Sequence, residues 1–136
     1  MVKVIMGLKG TGKTKQLIEL VRKAAEVEDG SVICMEKSPK LTYDIPHTVR
    51  LIEMDDYSVN GYDYMKGFIS GLHAANYDMT HIFIDSLLRI VGRDVDGDTA
   101  PFLDWCDSFG KRENVKFTMM ISADTALAGE GIKKYF

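Results

Sequence analysis

The stretch Gly7-Leu8-Lys9-Gly10-Thr11-Gly12-Lys13-Thr14, near the start of the chain, constrains its fold more than any other feature. Before it, Val2 to Met6 is a short β-branched and apolar run closed by glycine, the pattern of a buried strand. After it, Leu17, Leu20, Val21 and Ala24 recur at helical spacing from Lys13 onward, with Gly30 just past the segment. A strand that turns through glycines into a helix suits one class of ligand. An oligophosphate carries several negative charges, and holding it takes many inward-pointing backbone N–H groups with little side-chain bulk. Gly7, Gly10 and Gly12 meet both demands, Lys13 can reach the β- and γ-phosphates, and the Thr14 hydroxyl is placed to ligate Mg²⁺. Leu8, Lys9, Thr11 and Lys15 complete the candidate nucleotide-binding set. Chance would produce the four defining positions Gly7, Gly12, Lys13 and Thr14 in roughly 0.5% of chains this long, so a ligand-free glycine turn is the weaker reading. A dinucleotide site is weaker still, because the glycines do not fall at Gly-x-Gly-x-x-Gly spacing.

With 136 residues, 46% of them hydrophobic and 27% charged, the chain is expected to form one domain, 1–136, around a single core. The formal net charge is -3 and the basic residues are scattered, which argues against bulk attraction to nucleic acid or anionic lipid. A charged partner should therefore be small. Cys34 and Cys106 lie in apolar surroundings without metal-ligand spacing, as expected of buried thiols in a reducing compartment. No apolar run approaches the ~18 residues needed to span a bilayer, and the N-terminus has no signal-peptide pattern, so a cytoplasmic location is expected.

Beyond the first helix, Ser31 to Met35 and Val49 to Ile52 read as short buried strands, with a Ser-Pro turn and irregular chain between them. Met65, Phe68, Ile69 and Leu72 mark a second helical face between Gly61 and Asn76. His81-Ile82-Phe83-Ile84-Asp85 is a central-strand pattern ending in a carboxylate. The loop Gly92 to Asp98 leads into a helix carrying Phe102, Trp105, Cys106 and Phe109, with Pro101 in its first turn. Val115 to Ile121 is the last clear strand, and Gly129 to Phe136 fits either a short helix or an edge strand. Alternating strands and helices predict a three-layer α/β/α sandwich on a mostly parallel sheet of about five strands.

Asp85, at the end of its apolar strand, is the candidate second metal ligand, held to Mg²⁺ through water. With Gly7 to Thr14 and the strand ending in Asp85, the chain resembles the P-loop NTPase superfamily over most of its length. A strand and a helix intervene between the two motifs and a further strand ends in Ser122, so the layout looks like the RecA-like and ATPase division. That resemblance implies ATP with Mg²⁺ as ligand and hydrolysis of the terminal phosphate. The guanine-reading Asn-Lys-x-Asp motif is absent, unlike in Ras-like GTPases. The chain is also similar to short bacterial ATP-binding proteins sometimes labelled twitching-motility ATPases. The motor family's further acidic and histidine motifs are not found, and the motor label is not carried over.

Many ATPases of this division have Glu immediately after the Asp, where it polarises the attacking water, whereas here Ser86 follows Asp85. RecA-like members can take the base from the end of the strand beside the phosphate loop, and the resemblance gives that role to Glu36. Lys13 and Glu36 are thus the candidate catalytic residues, and Thr14 and Asp85 the candidate metal ligands. Arg89 and Arg93, after the Asp85 strand, read as surface residues or as arginine fingers.

Asp94 to Asp98 reads as a mobile acidic loop, since a calcium loop counted from Asp94 would need glycine at Thr99 and glutamate at Trp105. His47, His73 and His81 share no ligand spacing and are expected to be structural. Tyr57, Tyr62 and Tyr64 form core or rim, or a substrate surface. Three functions are compatible with these residues: a Mg²⁺-dependent ATPase, a nucleotide-dependent switch that presents the acidic loop to a protein partner or second copy, and a small-molecule kinase with an acceptor pocket near Asp55 to Tyr64.

Overall fold

In the computed structural model, which describes residues 1–39 and 44–136, strands and helices alternate as β1 (Val2–Gly7), α1 (Lys13–Val27), β2 (Ser31–Glu36), β3 (Arg50–Glu53), α2 (Tyr62–Ala75), β4 (Met79–Ile84), α3 (Leu87–Val91), α4 (Thr99–Glu113), β5 (Lys116–Ser122) and α5 (Glu130–Lys133). Single 3₁₀ turns follow β3 at Met54–Tyr57 and β5 at Thr125–Leu127. The expected irregular chain between Met35 and Val49 falls partly on residues 40–43, outside the described residues.

The five strands form one sheet in the order β1-β5-β4-β2-β3, and every pairing is parallel. Both faces are covered, which is why β2 is an unbroken apolar run closed by Glu36 instead of an alternating one. Side chains still sort by parity. Val4, Ile33, Met35, Ile82, Ile84, Phe117, Met119 and Ile121 pack into the larger core with α2, α3, α4 and α5. Val32, Cys34, Phe83 and Met120 face the opposite way, onto Leu17, Val21 and Ala24 of α1. The sandwich is therefore three-layered and lopsided, with one long helix crossing a whole face between β1 at the edge and β2.

This topology opens a crevice. The chain leaving β1 goes to the α1 face, and the chain leaving β4 goes to the other, so the two segments diverge at the carboxyl ends of the strands. Period-2 alternation puts Glu36, Asp85 and Ser122, each one residue beyond a large-core position, on the α1 side.

One local element is added, one expectation changes and one open alternative is resolved. The segment after Asp85 is a one-turn helix, α3, anchored by buried Leu87, Ile90 and Val91; five residues are too few for periodicity to show in sequence. The acidic loop is tied down, because Arg93 donates to Asp96 and Asp98, at 2.8 Å each, while the Asp96 amide donates to Thr99 Oγ1 at 3.1 Å. At the C-terminus a short helix forms, and the Val4 amide on the outer edge of β1 donates to the Tyr135 carbonyl at 2.7 Å.

Candidate functional site

Residues 8–12 connect β1 to α1 through two left-handed glycines, Gly10 at φ 88° and Gly12 at φ 82°. A side chain at either position would force a conformation that L-residues avoid. Gly7 is tight for a different reason: a Cβ there would lie 3.0 Å from Thr11 Oγ1, which would have to give by a few tenths of an ångström. The inside of the loop is occupied by its own polar groups. Lys13 Nζ donates to the Leu8 carbonyl at 2.7 Å and to Thr11 Oγ1 at 3.4 Å, and Thr11 Oγ1 donates to the same carbonyl at 2.8 Å. The Lys13 stem is buried and its ammonium points into the mouth of the loop.

The loop forms one wall of a cavity of about 540 Å³, lined by Lys9, Gly10, Gly12, Lys13, Thr14, Lys15, Asp85, Ser86, Arg89 and Ser122. Of the residues expected to bind nucleotide, Lys9, Gly10, Gly12, Lys13, Thr14 and Lys15 reach this cavity. Gly7, Leu8 and Thr11 do not line it and shape the loop from within. Among the described residues the lining carries four basic side chains, Lys9, Lys13, Lys15 and Arg89, against one carboxylate, Asp85. Local charge is thus opposite in sign to the chain's formal -3, which suits an anion held in a concave, low-dielectric wall.

Asp85 sits at the crevice because its amide donates to the Met35 carbonyl at 2.8 Å, carrying the β2–β4 register one residue past the end of β4. The next residue, Ser86, is left-handed at φ 57° and turns the chain sharply into α3. Non-glycine residues held in that region store local strain, and such residues cluster at functional sites. Among the described residues, the oxygen-bearing side chains that line the cavity, Thr14, Asp85, Ser86 and Ser122, offer hard donors with no imidazole or thiolate beside them. Among the described residues no group of three or more His, Cys, Asp or Glu could enclose a metal. One carboxylate and hydroxyls suit Mg²⁺, which keeps waters and takes its remaining ligands from phosphate.

Glu36 is placed differently from expectation. Its strand is not beside the phosphate-loop strand, since β5 and β4 separate β2 from β1. It stands beside Asp85 instead, 1% exposed, and does not line the cavity. The strand next to β1 is β5, whose terminal Ser122 pairs with Gly7 in register and reaches the cavity.

The two arginines part company. Arg93 lies over the Tyr62 ring, 5.4 Å from its centroid, and its guanidinium is held by Asp96 and Asp98. Arg89 is exposed, lines the cavity, and makes no ion pair among the described residues. Tyr62 is buried, with its hydroxyl 3.0 Å from Thr99 Oγ1, whereas Tyr57 and Tyr64 are exposed and line a separate 800 Å³ groove. His81 stacks on Phe83 at the amino ends of the strands, and His73 packs edge-on against Tyr77 and Phe109. His47 is exposed and outside these cavities.

No family model matches the sequence, and no curated protein matches it either. In structure the chain is similar to the flagellar accessory protein FlaH from Methanocaldococcus jannaschii, with a TM-score of 0.59 and 15% identity. The match covers 96% of this chain and 64% of FlaH, so this chain spans less than two-thirds of its neighbour. The likeness shows the fold, an α/β arrangement of helices on a parallel sheet. Among the described residues, no helix is long and apolar enough to cross a membrane.

Proposed function

We propose that this protein binds ATP as its Mg²⁺ complex and hydrolyses the terminal phosphate slowly. The observation that carries the reading is the single cavity in which the glycine loop, Lys13 and Thr14 from one chain segment meet Asp85 and Ser122 from two others. Gly7 to Thr14 acts as the phosphate cradle and Asp85 as the acidic residue of the second motif. Lys13 and the loop amides offset the charge that develops as the terminal phosphate departs. Thr14 and Asp85 hold the metal, which when bound neutralises phosphate oxygens and orients the chain of phosphates.

Turnover is slow in this reading because no carboxylate follows Asp85. Glu36 is the remaining candidate base, and from its buried place beside Asp85 it must reach the attacking water by rearrangement of the cavity wall. The same observation favours a second reading, a nucleotide-dependent switch in which a protein partner or a second copy supplies the group that completes the site. The kinase reading is the weakest: the cavities around Asn60 to Phe68 share no lining residue with the phosphate cavity.

Phosphate release from ATP and Mg²⁺, compared between the wild type and Lys13→Ala, tests the enzymatic reading. Release by the wild type above Lys13→Ala supports it, and equal background rates in both sink it. Tight nucleotide binding with negligible turnover points to the switch.

A further inference from the structure

We propose that Arg89 reads the terminal phosphate, so that α3 makes the site discriminate a triphosphate from a diphosphate. The inference rests on the nucleotide reading above and adds a residue to it. Three observations converge. Leu87, Ile90 and Val91 are buried to 2% exposure or less, so α3 is pinned to the larger core through those positions. Arg89 is the side chain of this helix that lines the cavity. The left-handed turn at Ser86 starts α3 directly after Asp85, so Arg89 stands four residues from the candidate metal ligand on one segment anchored to the core.

The charge inventory argues for a role at the far end of the phosphate chain. Lys13 and the loop amides come from the β1–α1 connection, which in the nucleotide reading cradles the inner phosphates, whereas Arg89 comes to the same cavity from a different segment, α3, after Asp85 and Ser86. A planar guanidinium with a fork of donors matches a tetrahedral oxyanion bidentately. The terminal phosphate adds such oxygens and further negative charge, and removing it deprives Arg89 of its partner. Arg93, four residues on, cannot substitute, because Asp96 and Asp98 hold its guanidinium.

The test is a binding ratio. Dissociation constants for Mg²⁺·ADP and for a Mg²⁺-bound β,γ-imido analogue of ATP are measured with the wild type, Arg89→Ala, Arg89→Lys and Arg93→Ala. Arg89→Ala is expected to weaken the triphosphate analogue about tenfold or more and ADP by less than about twofold. Arg89→Lys recovers only part of the difference, and Arg93→Ala keeps the wild-type ratio. An unchanged ratio in Arg89→Ala, with the wild type binding both ligands, overturns this proposal alone. Wild type that binds neither ligand overturns the nucleotide reading and this proposal with it. Unfolding midpoints of the variants separate a lost contact from a lost fold, since Arg89 is exposed and its removal leaves the α3 anchors in place.

Discussion

The ammonium of Lys13 donates to the carbonyl of Leu8 at 2.7 Å, closing the glycine loop on itself with the loop's own cation. A charge-assisted bond of this kind contributes about 1–3 kcal/mol when buried, and less at a part-buried site like this one. An entering phosphate offers the same ammonium a formal charge in place of a carbonyl dipole. Lys13→Ala is therefore expected to reduce Mg²⁺·ATP affinity about a hundredfold or more while lowering stability by only about 1 kcal/mol. Calorimetric titration with ATP and urea unfolding of the same sample check both halves; a large stability loss with unchanged affinity would count against the assignment.

Ser86 is held at φ 57°, between the last residue before the crevice and the first turn of α3. A β-branched side chain is much less tolerant of that region than serine, and glycine is at ease there. Ser86→Val is expected to lower stability by about 1–2 kcal/mol relative to Ser86→Gly. Thermal unfolding of the two variants decides the point, and equal stability would mean the turn is not strained.

Two helical glycines should respond to alanine with opposite signs. Around Gly71 of α2 nothing lies within 4 Å of an added Cβ, so Gly71→Ala should stabilise by about 0.5–1 kcal/mol through helix propensity and reduced freedom of the unfolded chain. At Gly110 of α4 the same methyl would lie 2.3 Å from the Val115 carbonyl, in the turn where the Val115 amide donates to the Gly110 carbonyl. Gly110→Ala should cost about 1–3 kcal/mol or more, because a backbone atom has to move. Chemical denaturation of both variants suffices, and a gain at Gly110 would contradict the packing described for α4.

Stability should fall in moderately acidic solution through His81. Burial on the Phe83 ring, with Nε2 2.9 Å from Thr118 Oγ1, holds this imidazole down at about 4, against an ordinary value of 6.5. The unfolded chain therefore binds a proton that the folded chain refuses, so the stability His81 contributes is complete above pH 6.5 and lost progressively toward pH 4. The full loss is about 3 kcal/mol at roughly 1.4 kcal/mol per pH unit. Asp104 and Asp107, held low by the Tyr135 hydroxyl and the Lys111 ammonium, act in the same direction but below their ordinary value of 3.8. Urea midpoints measured from pH 7 to 4.5 should thus decline in the wild type and flatten in His81→Gln; parallel curves would remove His81 as the cause.

What was legible in the sequence follows how far apart the interacting residues lie. Gly10 and Gly12 were readable because left-handed geometry is demanded of single residues in a contiguous loop. Asp85 was readable only in combination: a carboxylate closing an apolar strand is a common pattern by itself, as Glu36 at the end of β2 illustrates, and the glycine loop singled out this one. Gly30 was legible only as punctuation after a helix, whereas its tertiary role is steric: a Cβ there would sit 2.1 Å from the Asp78 carbonyl. Arg89 and Arg93 looked alike in sequence, and the difference between them depends on which one Asp96 and Asp98 can reach from their turn.

By itself, then, the sequence determined the glycine loop and the alternation of parallel strands with helices, since each depends on neighbouring residues and a fixed backbone period, whereas the common face of Glu36, Asp85 and Ser122 follows from how their strands share the core. Only the tertiary structure decided that β5 lies between the loop strand and the Asp85 strand, that Glu36 stands beside Asp85 and not beside the loop, and that Arg89 reaches the cavity. Strands buried on both faces are similar apolar runs, so their order is chosen by how the crossing helices pack over the sheet, and no single segment carries that information.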